Sequence, residues 1–266
     1  MKFSIYQASR IGSRKYNQDR VAYAYSDQAL LLVLADGMGG HLHGELAAQL
    51  AIQIFIKAFE EAAQPRISNP SNFLSLVMQS AHTAIIRYAR EQKLNGNPGT
   101  TCVAAIVMDD QIFWAHAGDS RLYLIRGNDV VTRTKDHSVV QQWADSGMID
   151  AKDMRTHPDR NKITNCLGAE EGMFFVDSSA AQLLQKNDCI ILCSDGLWGP
   201  LSGQEIASTL NLSPLPQALE QLMDRAIEKE AGHSDNTTVV GMRWGEGEEM
   251  RIAALPVAMV LDCEQV

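Results

Sequence analysis

Four aspartates stand at the ends of apolar runs, each beside small or turn-forming residues: Asp36 in ADGMGGH, Asp119 in AGDSR, Asp195 in CSDGLW and Asp235 in HSDNTT. A carboxylate that follows an apolar strand projects from the rim of a sheet, and glycine beside it lets a backbone carbonyl or a water approach a cation. Taken singly, each of these pairs is most simply a turn. Four in matched contexts point instead to rims that converge on one site. Carboxylate and water oxygens suit a hard ion, Mg²⁺ or Mn²⁺, better than zinc, for which a histidine and cysteine set is expected. Cysteine and histidine spacing gives no zinc motif: the five cysteines are scattered, and no CxxC pair occurs. Cys189 and Cys193 are expected to face the core from one strand.

The elements that must position these carboxylates are readable from periodicity. Short strands are expected near 3–8, 20–25 and 29–35, the last running directly into Asp36-Gly37. From Gly44 to about Ala63 the run LAAQLAIQIFIKAFEEA has helical period and Pro65 closes it. A second helix is expected from Pro70 to about Leu94, before Asn95-Gly96. After Gly99 come TTCVAAIVM, the turn Asp109-Asp110, QIFWAHAG, RLYLIRG and DVVTRT, an antiparallel meander. A polar excursion with a short helical start covers Val139 to Asn161. Strands resume near 173–177 and 189–194, helices follow near 203–210 and 216–231, and TTVVGMRW at 237–244 closes the domain. Residues 1–244 then form one domain, with GEGEEM opening a linker and a short apolar tail over 245–266. Strands and helices mixed without a βαβ rhythm give an α+β class.

Bulk properties narrow the partners. The 266 residues, 45% hydrophobic and 21% charged, suit a soluble globular domain with a sizeable core. A net charge of -9 works against nucleic acid and anionic membrane surfaces. The amino terminus carries no apolar run of signal-peptide length, and no segment reaches the roughly 18 apolar residues of a membrane span. A cytoplasmic monomer with unpaired thiols is the expectation.

The motifs RKYNQDR (14–20), ADGMGGH (35–41), GTT (99–101), GDSRLY (118–123), TKDHS (134–138), ITNCLG (163–168), LCSDGLW (192–198) and SDNTTVV (234–240) form a set. Together the set resembles the PPM family, the metal-dependent protein phosphatases of type 2C, and in particular its bacterial members. The resemblance runs from about residue 6 to 243 in the family's order. It implies a central sandwich of two antiparallel β-sheets flanked by helices, α-β-β-α, in agreement with the α+β texture. It also implies hydrolysis of phosphoserine and phosphothreonine on proteins, with phosphorylated proteins, including a Ser/Thr kinase and its substrates, as partners.

Residue by residue, the resemblance implies that Asp36 bridges two metals with the Gly37 carbonyl on the first. Asp195 and Asp235 would ligate the second, and Asp119 with Asp195 would hold a third, so that two or three Mn²⁺ or Mg²⁺ ions are bound. Asp19 would lie beside the cluster, acting through water, and Asn236 and His41 would stand next to the ligands. Paired cations about 3.5 to 4 Å apart lower the pKa of a shared water and neutralise phosphoryl charge, so the nucleophile would be a hydroxide and not a side chain. Arg14 occupies the position of the family's phosphate-binding arginine, whose fork can hold two phosphate oxygens.

The sequence departs from the family pattern in two places. Position 18 is Gln where many members are acidic, and position 38 is Met where animal members carry a histidine proposed to protonate the leaving group. His41, His43 and a metal-bound water are the alternatives for that proton. The excursion over 139–161, with His157-Pro158, corresponds to the flap bordering the active site in bacterial relatives, where its expected task is substrate selection. A haloacid-dehalogenase reading fails for want of a DxD motif, and a non-catalytic phosphoprotein-binding module is opposed by the complete set of aspartates.

Overall fold

The computed structural model describes residues 1–38, 43–64, 66–170, 174–249 and 257–261. Strands β1 (Lys2–Arg10), β2 (Asp19–Tyr25) and β3 (Ala29–Met38) precede helices α1 (Gly44–Ala62) and α2 (Pro70–Glu91). The meander follows as β4 (Gly99–Thr100), β5 (Cys102–Met108), β6 (Gln111–Ala117), β7 (Arg121–Arg126) and β8 (Asp129–Arg133). The polar excursion holds α3 (Val139–Asp145) and a 3-10 turn at Ala151–Thr156. Then come β9 (Asp177–Ser178), β10 (Gln182–Leu183), β11 (Cys189–Cys193), α4 (Asp195–Trp198), α5 (Gly203–Leu212), α6 (Leu215–Lys229), β12 (Thr237–Glu249) and β13 (Val257–Val260).

Two sheets form, one ordered β1-β12-β11-β7-β8 and the other β10-β6-β5-β3-β2-β13, with β4 on β3 and β9 on β6. The alternation along β3 shows why they stack. Leu30, Leu32 and Leu34 meet Ile190, Leu192 and Val240 of the other sheet, whereas Leu31, Val33 and Ala35 meet α1 and α2. A strand covered on both faces needs the continuous apolar run that ALLLVLA supplies. A third core layer places Cys189, Ile191 and Cys193 of β11 against α5 and α6, so the two thiols do share one face. The result is α-β-β-α, the expected sandwich.

Caps fix the helix ends. Asn69 accepts from the Asn72 backbone N–H just before Pro70, and Ser202 and Glu205 form a reciprocal capping box on α5.

Three expectations change. The region expected as a strand near 173–177 contributes only Asp177–Ser178 to a sheet, on the margin of β6, and residues 171–173 lie outside the described residues. Asp195 opens a short helix that no periodicity announced, because four residues are too few to show one. The expected linker after Trp244 is strand instead: β12 continues to Glu249, opposite Lys2, across a register shift between Lys2 and Phe3. Gly245, at φ 77°, supplies the left-handed conformation that such a bulge needs. The apolar tail then adds β13 to the edge of β2, Val260 facing Ala22.

Candidate metal centre

The aspartates singled out from the sequence lie at one end of the sandwich. Asp36 lies near the end of β3, two residues before Met38, and pairs in register with Asp19, which opens β2. Asp119 follows β6, Asp195 is the first residue of α4, and Asp235 precedes β12. Each is thus fixed by a strand that is itself core. Threonines hold the Asp36 backbone: Thr101 Oγ1 accepts from its N–H at 3.1 Å and Thr100 Oγ1 donates to its carbonyl at 2.9 Å. Gly37 lies so close to Gly44 that a Cβ on it would come within 2.4 Å of the Gly44 carbonyl, so this approach of loop to helix start admits only glycine.

The loop carrying Arg14 is tied to Asp235 and Asn236. Asn236 Nδ2 donates to the carbonyls of Ile11 (2.9 Å) and Tyr16 (3.0 Å), and its Oδ1 accepts from the Gln18 N–H at 2.9 Å. Arg14 Nη2 donates to Asp235 Oδ2 at 2.5 Å. Gln18, at the departing position, donates to Glu45 Oε2 at 3.3 Å. His41 lies outside the described residues, and His43 sits at the N-cap position of α1 with φ 105° and makes no side-chain capping bond.

The electrostatics are those of like charges held together. Burial lifts the Asp36 carboxyl well above its usual range, and Asp19, Asp195, Asp119 and Asp235 raise it further. Asp195 is raised well above its usual value in the same way, by burial and then by Asp119, Asp235 and Asp19, with Arg14 opposing. Asp119 reaches about 7, through burial and the nearby Asp136, against Arg121. Asp19 reaches about 6 by burial, in spite of hydrogen bonds that favour its charge; Ser194 Oγ donates to its Oδ2 at 2.8 Å and its Oδ1 has no partner among the described residues. Such crowding is unfavourable for a bare protein and favourable for one that binds cations.

The donor set therefore fits hard divalent cations: all oxygen, mutually repelling, with one buried carboxylate oxygen, Asp19 Oδ1, left without a partner among the described residues. The fit is loose in spacing. Among the described residues, no three carboxylates of this rim bring one oxygen each within 4.8 Å of one another. Water bridges or a turn of the Asp235 side chain off Arg14 would close that gap, and Mg²⁺ in particular retains water in its shell.

The trio that does meet this spacing is His116, His137 and Asp177. His116 Nε2 donates to the Lys135 carbonyl at 2.8 Å, leaving Nδ1 without a partner. His137 Nδ1 accepts from the Gly118 N–H (3.1 Å) and from Asn165 Nδ2 (2.9 Å), so its proton is on Nε2, facing Asp177 at 3.7 Å. That tautomer has no lone pair to offer a metal there, and the two imidazoles are stacked on each other with ring centroids 4.4 Å apart.

The motifs GDSRLY and TKDHS carry a support for the site that their spacing does not announce. Arg121 binds Asp136 through two bonds, of 2.8 and 2.6 Å, and its guanidinium lies 3.6 Å from the Trp198 ring centroid. The pair thereby ties the segment after β8 to α4. A cavity of about 220 Å³ opens beside Asp195 and Asp235, bounded by Arg14, Trp198 and the polar excursion.

Residues 6–236 match the family model for protein phosphatase 2C. The chain belongs to the protein phosphatase 2C family. It is 34% identical over 233 residues to the serine/threonine phosphatase stp of Listeria innocua, covering 85% of this chain and 90% of that one. The structure is similar to that of the serine/threonine phosphatase Stp1 from Staphylococcus aureus, with a TM-score of 0.84 at 30% identity, over 93% of this chain and 96% of the other. It is likewise similar to the catalytic domain of the serine/threonine phosphatase PstP in complex with two manganese ions, with a TM-score of 0.74 at 28% identity, over 91% and 97%. As a phosphatase 2C, the chain is a metal-dependent hydrolase that removes phosphate from serine and threonine of proteins.

Proposed function

We propose that this phosphatase works at a centre of two or three Mn²⁺ or Mg²⁺ ions held by Asp36, the Gly37 carbonyl, Asp119, Asp195 and Asp235. The observation that carries the reading is the convergence of like charges on two buried carboxyls, Asp36 and Asp195, both lifted well above their usual range by burial and by the neighbouring aspartates. Asp36 is central among them and suits the bridging place. Asp195 and Asp235 would share one ion, and Asp119 would join Asp195 on another. Asp19, held by Ser194, would act through water. When bound, the ions supply a lowered pKa for water and neutralise the phosphoryl oxygens.

The chain's own residues do the remaining work. Arg14 orients the phosphoryl group through its fork and must exchange Asp235 for phosphate oxygens to do so. Asn236 fixes the loop on which Arg14 rides. The substrates we infer are phosphoproteins made by a Ser/Thr kinase, together with that kinase, met by a monomer in the cytoplasm. Among the described residues no helix is long and apolar enough to cross a membrane. The domain we infer has its body in 1–244, to which the continuation of β12 to Glu249 and the β13 edge are added.

Calorimetric titration of the metal-free protein with Mn²⁺ tests the assignment. Two or more binding events are expected, with one lost in Asp235→Asn. Undiminished stoichiometry in that variant, or full phosphopeptide hydrolysis in EDTA, would refute it.

A further inference from the structure

The cavity beside Asp195 and Asp235 has a second wall, and its charges are arranged differently. At the metal end Arg14 is paired with Asp235 and Arg121 with Asp136. Across the cavity stand Arg155 and Arg160, from the excursion between α3 and β9. Arg155 Nη2 donates to the Gly199 carbonyl at 2.9 Å, and Arg160 Nη1 donates to the Arg155 carbonyl at 3.4 Å. Neither guanidinium makes an ion pair among the described residues. Carboxylates outnumber cationic side chains in this chain, 32 to 23, yet none of them pairs with either arginine of this wall among the described residues. Glu230, on the same lining, is the one acidic residue of the cavity outside the metal end and the Arg121 pair.

We infer that Arg155 and Arg160 form an anion cradle that selects phosphoprotein substrates carrying a second acidic group, a carboxylate or another phosphate, close in sequence to the scissile phosphoresidue. This rests on the phosphatase assignment of the adjoining centre and adds to it a preference among substrates. The Arg155 bond to Gly199 fastens the excursion to the end of α4, the helix that begins with Asp195. The cradle is thereby held at a fixed reach from the centre. Each guanidinium retains N–H groups beyond the bond described, and a planar fork matches carboxylate and phosphate equally. Both residues are exposed, so each contact is screened and changes binding by at most about fivefold.

The test uses the full chain with Mn²⁺ and a phosphothreonine peptide with neutral flanks. A set of analogues places Glu, Lys or a non-hydrolysable phosphonate at each position within four residues of the phosphothreonine. For the wild type, kcat/KM at one or more positions should favour Glu or phosphonate over neutral by about fivefold, mainly through KM, and the gain should shrink with added salt. In Arg160→Gln and Arg155→Gln that ratio should fall towards one, and in Arg160→Glu it should invert in favour of Lys. A gain with phosphonate alone assigns the cradle to a second phosphoresidue; a gain with both assigns it to any acidic side chain. The inference is overturned if the wild type shows no preference at any position, or if the variants lower every peptide together at a constant ratio. Hydrolysis of an aryl phosphate, which has no flanking residues, reports on the metal centre alone and separates the two failures.

Discussion

Aspartates terminate strands at both ends of this sandwich, and the two ends treat them in opposite ways. At the far end Asp109 and Asp110 form the tight turn between β5 and β6, exposed and with φ of 52° and 57°. Asp188, at the same end, is wholly buried but fully answered: Arg126 binds it through two bonds of 2.8 Å and the Gln185 N–H donates a third. At the metal end Asp36, Asp119 and Asp195 are crowded against one another with too few cations to match. Residue type and strand-end placement are therefore common to turns, structural pairs and catalytic centres. What separates them is whether the charge is answered within the chain.

The largest expected effect follows from that difference. Asp36→Asn should lower phosphopeptide hydrolysis by roughly three orders of magnitude, since each ion contributes several kcal/mol to the reaction. The same substitution should raise the melting temperature of the metal-free protein, because it removes one of several repelling charges. A fall in that temperature would show that Asp36 is a structural partner and not a ligand awaiting its ion. Asp188→Ala should do the reverse. It leaves Arg126 without its carboxylate and costs about 3 kcal/mol in urea unfolding, at the low end for a buried pair because Arg126 is partly exposed. Turnover per folded molecule should stay at the wild-type value.

The pH dependence sharpens the contrast further. Asp19 at about 6 and Asp119 at about 7 stand above the usual carboxylate value of 3.8, so the folded, metal-free protein holds more protons than the unfolded chain between about 4 and 7. Stability then falls as pH rises through that window. His137, lowered to about 4 by burial and by His116, acts in the opposite sense, favouring the fold as pH rises from about 4 to 6.5. The carboxylates outnumber it, so thermal melts without metal should show stability declining from pH 5 to 7.5, and saturating Mn²⁺ should remove the decline. Asp119→Asn should flatten the upper part of the curve, near pH 7. A metal-free curve that rises with pH throughout would contradict the reading of the rim as unanswered charge.

How much of this was legible in the residues depends on how local the determinant is. The run ALLLVLADG announces both the strand and the carboxylate at its end, because two-sided burial writes itself as continuous hydrophobicity. The long helices α1 and α2 are equally plain from their period. Two-residue strands such as β4 and β9 carry no period, and β13 is a strand only because the edge of β2 is there to receive it. Within the site the motif aspartates could be picked out, but their supports could not. Ser194 touches Asp19 across 175 positions of sequence, and Arg121 reaches Trp198 only because β7 and α4 abut. Contacts of this kind exist in the fold and leave no spacing signal.

The smallest expected effects lie at the far end. Asp109 pairs with Arg66 at 2.6 Å, but both side chains are half exposed, and such pairs contribute less than about 1 kcal/mol. Asp109→Asn should therefore change stability by no more than about 0.5 kcal/mol. Asp110→Gly should leave the fold as stable or raise it by about 0.5 kcal/mol, since a positive φ suits glycine at the second place of this turn. Mn²⁺ affinity and phosphopeptide turnover should be the same as in the wild type for both. Were either variant to shift metal affinity, the charge at the turn would be felt along the strands, and the two ends of the sandwich could no longer be treated as separate uses of the same residue.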